Sequence, residues 1–254
     1  MENLLIKACE KQGFKIVYKD IDQVSEEEFK QIRMDWFGAS DSSKLLDVNP
    51  FPNGTKKDLV KEKLTNEVDE SIGKKASVRM GKDIEHIIMD KVEKYLRTFH
   101  NKPLAIIKPS NMYGMYESML GTNFDGVYVT PDIVFPIEIK AVTKYGRKYY
   151  DFKKSCAYQI EGEWQPNRPI VEVCQGTDYE NIAHSLGIPV YYYTQTQQQI
   201  LTAGSNFALL AVMDVDNWDI HIFYIPRNES CIQELINTGT EEALKIRTIK
   251  KLKK

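Results

Sequence analysis

Asn123-Phe124-Asp125-Gly126, followed by Pro136-Ile137-Glu138-Ile139-Lys140, is the stretch on which the reading of this chain turns. Phe124 to Thr130 and Ile133 to Val142 are two β-rich runs separated by Pro131-Asp132, which predicts a hairpin or tight connection. Side chains alternate along a strand, so Glu138 and Lys140 share one face while Ile137 and Ile139 enter an apolar layer on the other. Pairing across the turn brings Asp125 beside Glu138. An Asp, a Glu and a Lys then surround one small volume.

Those residue types suit magnesium-assisted hydrolysis of a phosphodiester. Magnesium takes hard oxygen ligands, keeps several waters, and is held by one or two carboxylates plus phosphate oxygens of the substrate. Asp125 and Glu138 supply the carboxylates in this reading, and the backbone carbonyl of Ile139 adds a third oxygen. The Lys140 ammonium orients or helps deprotonate the attacking water and offsets charge building on the phosphate. Taken alone, the motif fits a solvated strand edge equally well. Its surroundings argue otherwise: Val134, Phe135, Pro136 and Ile137 precede it and Ala141 and Val142 follow it. Charged side chains in so apolar a run are seldom buried without a partner or a metal.

A further carboxylate comes from upstream. Between Val78 and Phe99, Ile84, Ile88, Val92, Tyr95, Leu96 and Phe99 recur at helical spacing after Gly81. Glu85 falls within that apolar stripe, whereas His86 and Asp90 lie off it. The helix therefore turns Glu85 toward the interior, unless its stem packs while the carboxylate reaches water.

Gly81-x-x-x-Glu85, Asp125-Gly126, Glu138-x-Lys140 and Tyr192-x-x-Gln195-x-Gln197, in that order, resemble the lambda-type phage exonucleases. These are also called YqaJ-like viral recombinases and belong to the PD-(D/E)XK nuclease superfamily. Arg33-Met34-Asp35-Trp36-Phe37-Gly38-Ala39-Ser40 looks like the N-terminal signature of that family. The run Phe207 to Val215, the turn Asp216-Asn217-Trp218-Asp219, the run Ile220 to Ile225 and a final helix are similar to its ending, so the likeness spans Arg33 to Leu244. It implies metal ligands at Asp125 and Glu138, the catalytic lysine at Lys140, a supporting carboxylate at Glu85, and Gln195 positioning substrate or water. It further implies that Arg33 and Ser40 hold the 5′-phosphate of a duplex end, joined by Lys144 or Arg147. Phe124 stands where the superfamily has its proline, and Asn123, which can still donate to a phosphate, where lambda-type members often have serine. The segment between Lys140 and Gln195 is longer than usual, and 161–178, with Trp164-Gln165-Pro166-Asn167-Arg168-Pro169, reads as a surface insertion.

The rest of the chain bounds this picture. With 254 residues, 42% hydrophobic and 28% charged, it can bury a large core in one domain, with a helical segment over 1–75. No apolar run is long enough to cross a bilayer, and Met1 to Gly13 lacks a secretory pattern, so a cytoplasmic protein is expected. Cys9, Cys156, Cys174 and Cys231 form no C-x-x-C pair, and His86, His100, His184 and His221 no close ligand pair, which disfavours zinc and iron–sulfur chemistry. A net charge of −2 gives no global attraction to DNA, so attraction must be local. Lys140, Lys144, Arg147, Lys148, Lys153 and Lys154, interleaved with Tyr145, Tyr149, Tyr150 and Phe152, provide it; the alternative is a solvated loop whose aromatics pack on the core. Lys56 through Glu70 and Ser25 through Phe29 read as exposed scaffold helices, the latter capped by Ser25, and Lys245 to Lys254 as a frayed basic tail.

The expectation is thus an α/β PD-(D/E)XK core, a mixed central sheet flanked by the Glu85 and Gln195 helices. It would use magnesium, with manganese able to substitute, to cut linear duplex DNA from 5′ to 3′. By resemblance it would supply a single-strand annealing protein and form a homo-oligomer, even a ring that encircles DNA. A structure-specific or restriction-type endonuclease, or an inactive DNA- or partner-binding module, is the alternative.

Overall fold

The structure is a computed structural model that describes residues 1–52, 54–65, 76–99, 106–160, 163–166 and 175–252. Its helices are α1 (Glu2–Lys11), α2 (Glu26–Met34), α3 (Ser42–Leu45), α4 (Lys56–Thr65), α5 (Ala76–Phe99), α6 (Lys144–Arg147), α7 (Tyr179–Leu186), α8 (Val190–Ala203) and α9 (Glu229–Leu252). Its strands are β1 (Lys15–Tyr18), β2 (Phe37–Gly38), β3 (Ile106–Ile107), β4 (Met112–Met115), β5 (Leu120–Thr122), β6 (Gly126–Val129), β7 (Val134–Val142), β8 (Ala157–Ile160), β9 (Glu163–Pro166), β10 (Phe207–Asp214) and β11 (Asp219–Pro226).

Among the described residues the strands make two sheets. The larger runs β3-β6-β7-β10-β11-β8-β9, with β7 and β10 parallel and the other neighbours antiparallel. The smaller runs β1-β4-β5-β2. The expected hairpin forms: Gly126 faces Ile137 and Val129 faces Val134, and the Thr130 N–H closes the turn on the Ile133 carbonyl at 2.9 Å.

β7 lies between β6 and β10, so both of its edges are paired, and α5 and α8 pack against it. Ile137 and Ile139 pack with Ile88, Val92 and Leu96, the apolar stripe of α5. Each such side chain contributes about 1.5–3 kcal/mol when fully buried. Glu138 and Lys140 turn to the other face, under α8. That helix is buried from Tyr193 to Ala203 apart from Gln195, three successive glutamines included. Buried amides are nearly always bonded through at least one of their atoms. The Gln197 side chain accordingly donates to the Pro226 carbonyl and accepts from the Asn228 N–H, both at 2.8 Å. Gly204, at φ +64°, ends the helix in the left-handed conformation, its N–H reaching the Ile200 and Leu201 carbonyls.

Several expectations need correction. The 1–75 segment carries α1 to α4 but also β1 and β2, which pair with β4 and β5. Residues 163–166, read as part of a surface insertion, extend the large sheet as β9, with Trp164 against Tyr95 at 4.7 Å; 161–162 and 167–174 lie outside the described residues. The basic tail is the end of α9 as far as Leu252, and 253–254 lie outside the described residues: Arg247 stacks 3.9 Å over Tyr116 and Lys250 pairs with Asp35 at 3.6 Å. Ser25 does cap α2, accepting from the Glu28 N–H at 3.1 Å. Cys9, Cys156 and Cys231 are free thiols, while Cys174 and His100 lie outside the described residues. No helix among the described residues is long and apolar enough to cross a membrane.

Candidate active site

The hairpin register, continued one residue past the Gly126–Ile137 pair, sets Asp125 across from Glu138. Asp125 Oδ2 accepts the Ile139 N–H at 2.9 Å, which fixes the carboxylate against the edge of β7. A strand residue directs its N–H and C=O toward the same neighbour, so the Ile139 carbonyl lies on Asp125's side. Glu138 is 1% exposed, and Lys140 Nζ donates to its Oε1. Burial, with the Glu138 charge beside it, pushes the Asp125 carboxyl up to about 7. Burial acts against the Lys140 ammonium too, but Glu138 and Asp125 outweigh it and hold its pKa above the usual lysine value. The Tyr192 ring lies 5.1 Å from Nζ and walls the lysine in.

Two glutamines of α8 hold Glu138 from above. Gln195 Nε2 donates to Oε1 at 2.5 Å and Gln199 Nε2 donates to Oε2. Gln195, expected to position substrate or water, bonds the Glu138 carboxylate. Gln199 was not singled out, although its i+4 spacing from Gln195 puts it on the same helical face. Gln198 points elsewhere: Nε2 donates to the Phe37 and Gly121 carbonyls at 3.1 and 2.9 Å, and Oε1 accepts the Ser42 hydroxyl at 2.7 Å.

Glu85 reaches a pocket it shares with Asp125, lined as well by His86, Met89, Asp90 and Lys108. Its carboxylate pairs with Lys108 Nζ at 2.6 Å. Lys108 follows the short strand β3, and no spacing in the sequence marks it.

Arg33, at the end of α2, and Ser40, in the 3-10 turn Ala39–Asp41, meet at 2.9 Å. Beneath them lies Asp41, accepting Arg33 Nη2 at 3.4 Å, the Gly38 N–H at 3.0 Å and Lys63 Nζ at 3.3 Å. Burial acts against the Asp41 carboxylate, yet Lys63, Arg33 and Lys44 hold its pKa below the usual range. Lys63 is fully buried, so α4 is more than exposed scaffold; Leu59, one turn earlier and also buried, marks the inward face. Residues 66–70 of that charge run lie outside the described residues.

The basic segment divides. Lys144 and Lys148 lie over Tyr145 and Tyr149, whose rings are exposed. Tyr150 and Phe152 pack inward, stacked on each other at 5.7 Å, with Phe152 also stacked on His221 at 4.0 Å. Arg147 is paired with Asp214 at 3.0 Å and backs onto Phe152, so it enters any phosphate contact already engaged. Asn123 is exposed beside the start of β6.

Among the described residues no three His, Cys, Asp or Glu side chains cluster closely enough to hold a metal by themselves. Asp125 and Glu138 are two adjacent carboxylates, of the hard-oxygen type that suits a dication retaining water, and a nearby positive charge would offset their mutual crowding.

The profile of the YqaJ-like viral recombinase domain matches residues 28–206. No curated protein matches the chain. Two crystal structures are similar over 89% of this chain and 96% of theirs. One is LHK-Exo in complex with dAMP, 16% identical with a TM-score of 0.55. The other is an alkaline exonuclease (LHK-Exo) from Laribacter hongkongensis, 17% identical with a TM-score of 0.50. The fold is that of the PD-(D/E)XK nucleases, and the chain belongs to the YqaJ-like viral recombinase family.

Proposed function

We propose that this protein is a metal-dependent exonuclease that hydrolyses linear duplex DNA from 5′ to 3′ in phage-type recombination. The observation that carries the reading is the convergence of Asp125, Glu138 and Lys140 at one strand end, with Glu138 clamped by Gln195 and Gln199. Magnesium, or manganese in its place, would supply Lewis-acid activation of the scissile phosphate and of the attacking water. Asp125, Glu138 and the Ile139 carbonyl would hold it. Lys140, kept cationic by its two carboxylate neighbours, donates to water and to a phosphate oxygen instead of removing a proton. Glu85, held by Lys108, supports the far side of the pocket. Arg33 and Ser40 anchor the 5′-phosphate, and Asn123, Lys144, Arg147 and Lys148 line the backbone path.

A chain of net charge −2 draws DNA only locally, so several copies arranged around the duplex, with their basic 140–154 segments converging, answer the charge deficit. The single strand left behind would pass to an annealing protein in the host cytoplasm. The test compares an end-labelled linear duplex with a covalently closed circle in magnesium. The linear form is expected to lose its 5′ label first while the circle persists; rapid loss of the circle would make this an endonuclease. The same preparation, sedimented, is expected to run as a multiple of one chain, and a fully active monomer would exclude the ring.

A further inference from the structure

We infer that Lys63 and Asp41 are positioning residues that hold the Arg33 guanidinium in place for the terminal phosphate; this rests on the end-anchoring role proposed for Arg33 and Ser40. The four groups are layered from solvent to core. Ser40 is exposed, Arg33 keeps 36% of its side chain open, Asp41 is 5% exposed and Lys63 fully buried. Lys63 Nζ donates to the Arg33 backbone carbonyl at 3.0 Å and to Asp41 Oδ2 at 3.3 Å. One lysine thus grips both the main chain that carries Arg33 and the carboxylate that receives its guanidinium. Asp41 Oδ2 also takes the Gly38 N–H at 3.0 Å, which ties the Ser40 turn to the same oxygen.

An ammonium with no exposed surface is retained only if its partners recover the lost hydration. Arg33 is the half-exposed partner of Asp41, and Lys63 the buried one. What Lys63 changes is the charge balance. Asp41 is in direct contact with two cations, Lys63 and Arg33, so it neutralises only part of Arg33, and the guanidinium keeps net positive character toward solvent. It also fixes where that charge sits, because Arg33 is held at both its carbonyl and its side chain. A planar fork placed in advance loses less freedom on meeting a phosphate. Lys63 itself is sealed from any substrate, so its effect acts through Arg33.

The test measures kcat/KM on linear duplexes ending in a 5′-phosphate or a 5′-hydroxyl, for the parent and for Lys63→Met, Asp41→Asn, Lys63→Met with Asp41→Asn, and Arg33→Gln. The phosphate-to-hydroxyl ratio is expected to fall about tenfold in Lys63→Met and in the double variant, with the loss in KM, as displacement of a positioned group implies. A merely structural role lowers the rate on both ends alike and leaves the ratio at the parent value, which would overturn the proposal. The double variant removes both buried charges together and so keeps the comparison available if a single variant does not fold. An unchanged ratio in Arg33→Gln would instead overturn the end-anchoring role itself.

Discussion

Asp125 and Glu138 are held close by the hairpin register, and the Ile139 N–H ties the Asp125 carboxylate to β7. Without a cation their proximity is a cost, and folding lifts the Asp125 pKa from an unfolded value of about 3.9 toward about 7. The sign follows. A carboxyl with a raised folded pKa stabilises fully below its unfolded value, and that contribution is lost as pH climbs toward the folded one. Metal-free protein is therefore expected to lose stability between about pH 4 and pH 7 through this group, and Asp125→Asn to flatten that loss. Urea denaturation in chelator at pH 5 and pH 8 measures it; parallel losses in the parent and the variant would contradict the account. Asp125, Glu138, Lys140 and Glu85 were legible because strand alternation and helical spacing are strict. Lys63 and Asp41 were not, because a lysine among alternating charges looks solvated until the fold buries it. Lys108 was illegible for a different reason: its partner Glu85 comes from a distant helix.

At the scale of the element, α8 joins two tasks. Gln195 and Gln199 face Glu138, while Gln198, about 100° around the helix from Gln199, ties the backbone beside Arg33 and Ser40. At 1.5 Å per residue one rigid rod registers the Arg33–Ser40 turn, proposed to bind the end, against the carboxylates proposed to cut. Gln198→Leu removes three hydrogen bonds and leaves the Phe37 and Gly121 carbonyls and the Ser42 hydroxyl without this partner. A destabilisation of at least about 2 kcal/mol is expected by urea titration, and less than about 0.5 kcal/mol would show the helix to be positioned otherwise. The run Gln197-Gln198-Gln199 hid these roles, since identical residues give no periodic contrast between inward and outward faces. The hairpin and the α5 stripe were readable for the opposite reason, whereas the β10–β11 pair was reached only through the family resemblance.

Across the whole molecule, a large mixed sheet carries Glu138 with Asp125 at the start of its hairpin, and a small sheet, with α2 and α3 against β2 and α4 behind α3, carries the Arg33 turn. The small sheet escaped the sequence reading because two-residue β2 and three-residue β5 are too short to show alternation. The inward-packed Tyr150 and Phe152 likewise depend on β11 and α8, which no local pattern announces. The central claim is that Asp125 and Glu138 share a hard dication beside a scissile phosphodiester. Release of acid-soluble nucleotide from linear duplex DNA, in magnesium and again in chelator, tests it with the parent, Asp125→Asn and Glu138→Gln. The parent is expected to release nucleotide only in magnesium, and each variant to lose at least about a hundredfold in rate. Release that survives chelation, or a variant as active as the parent, would contradict it.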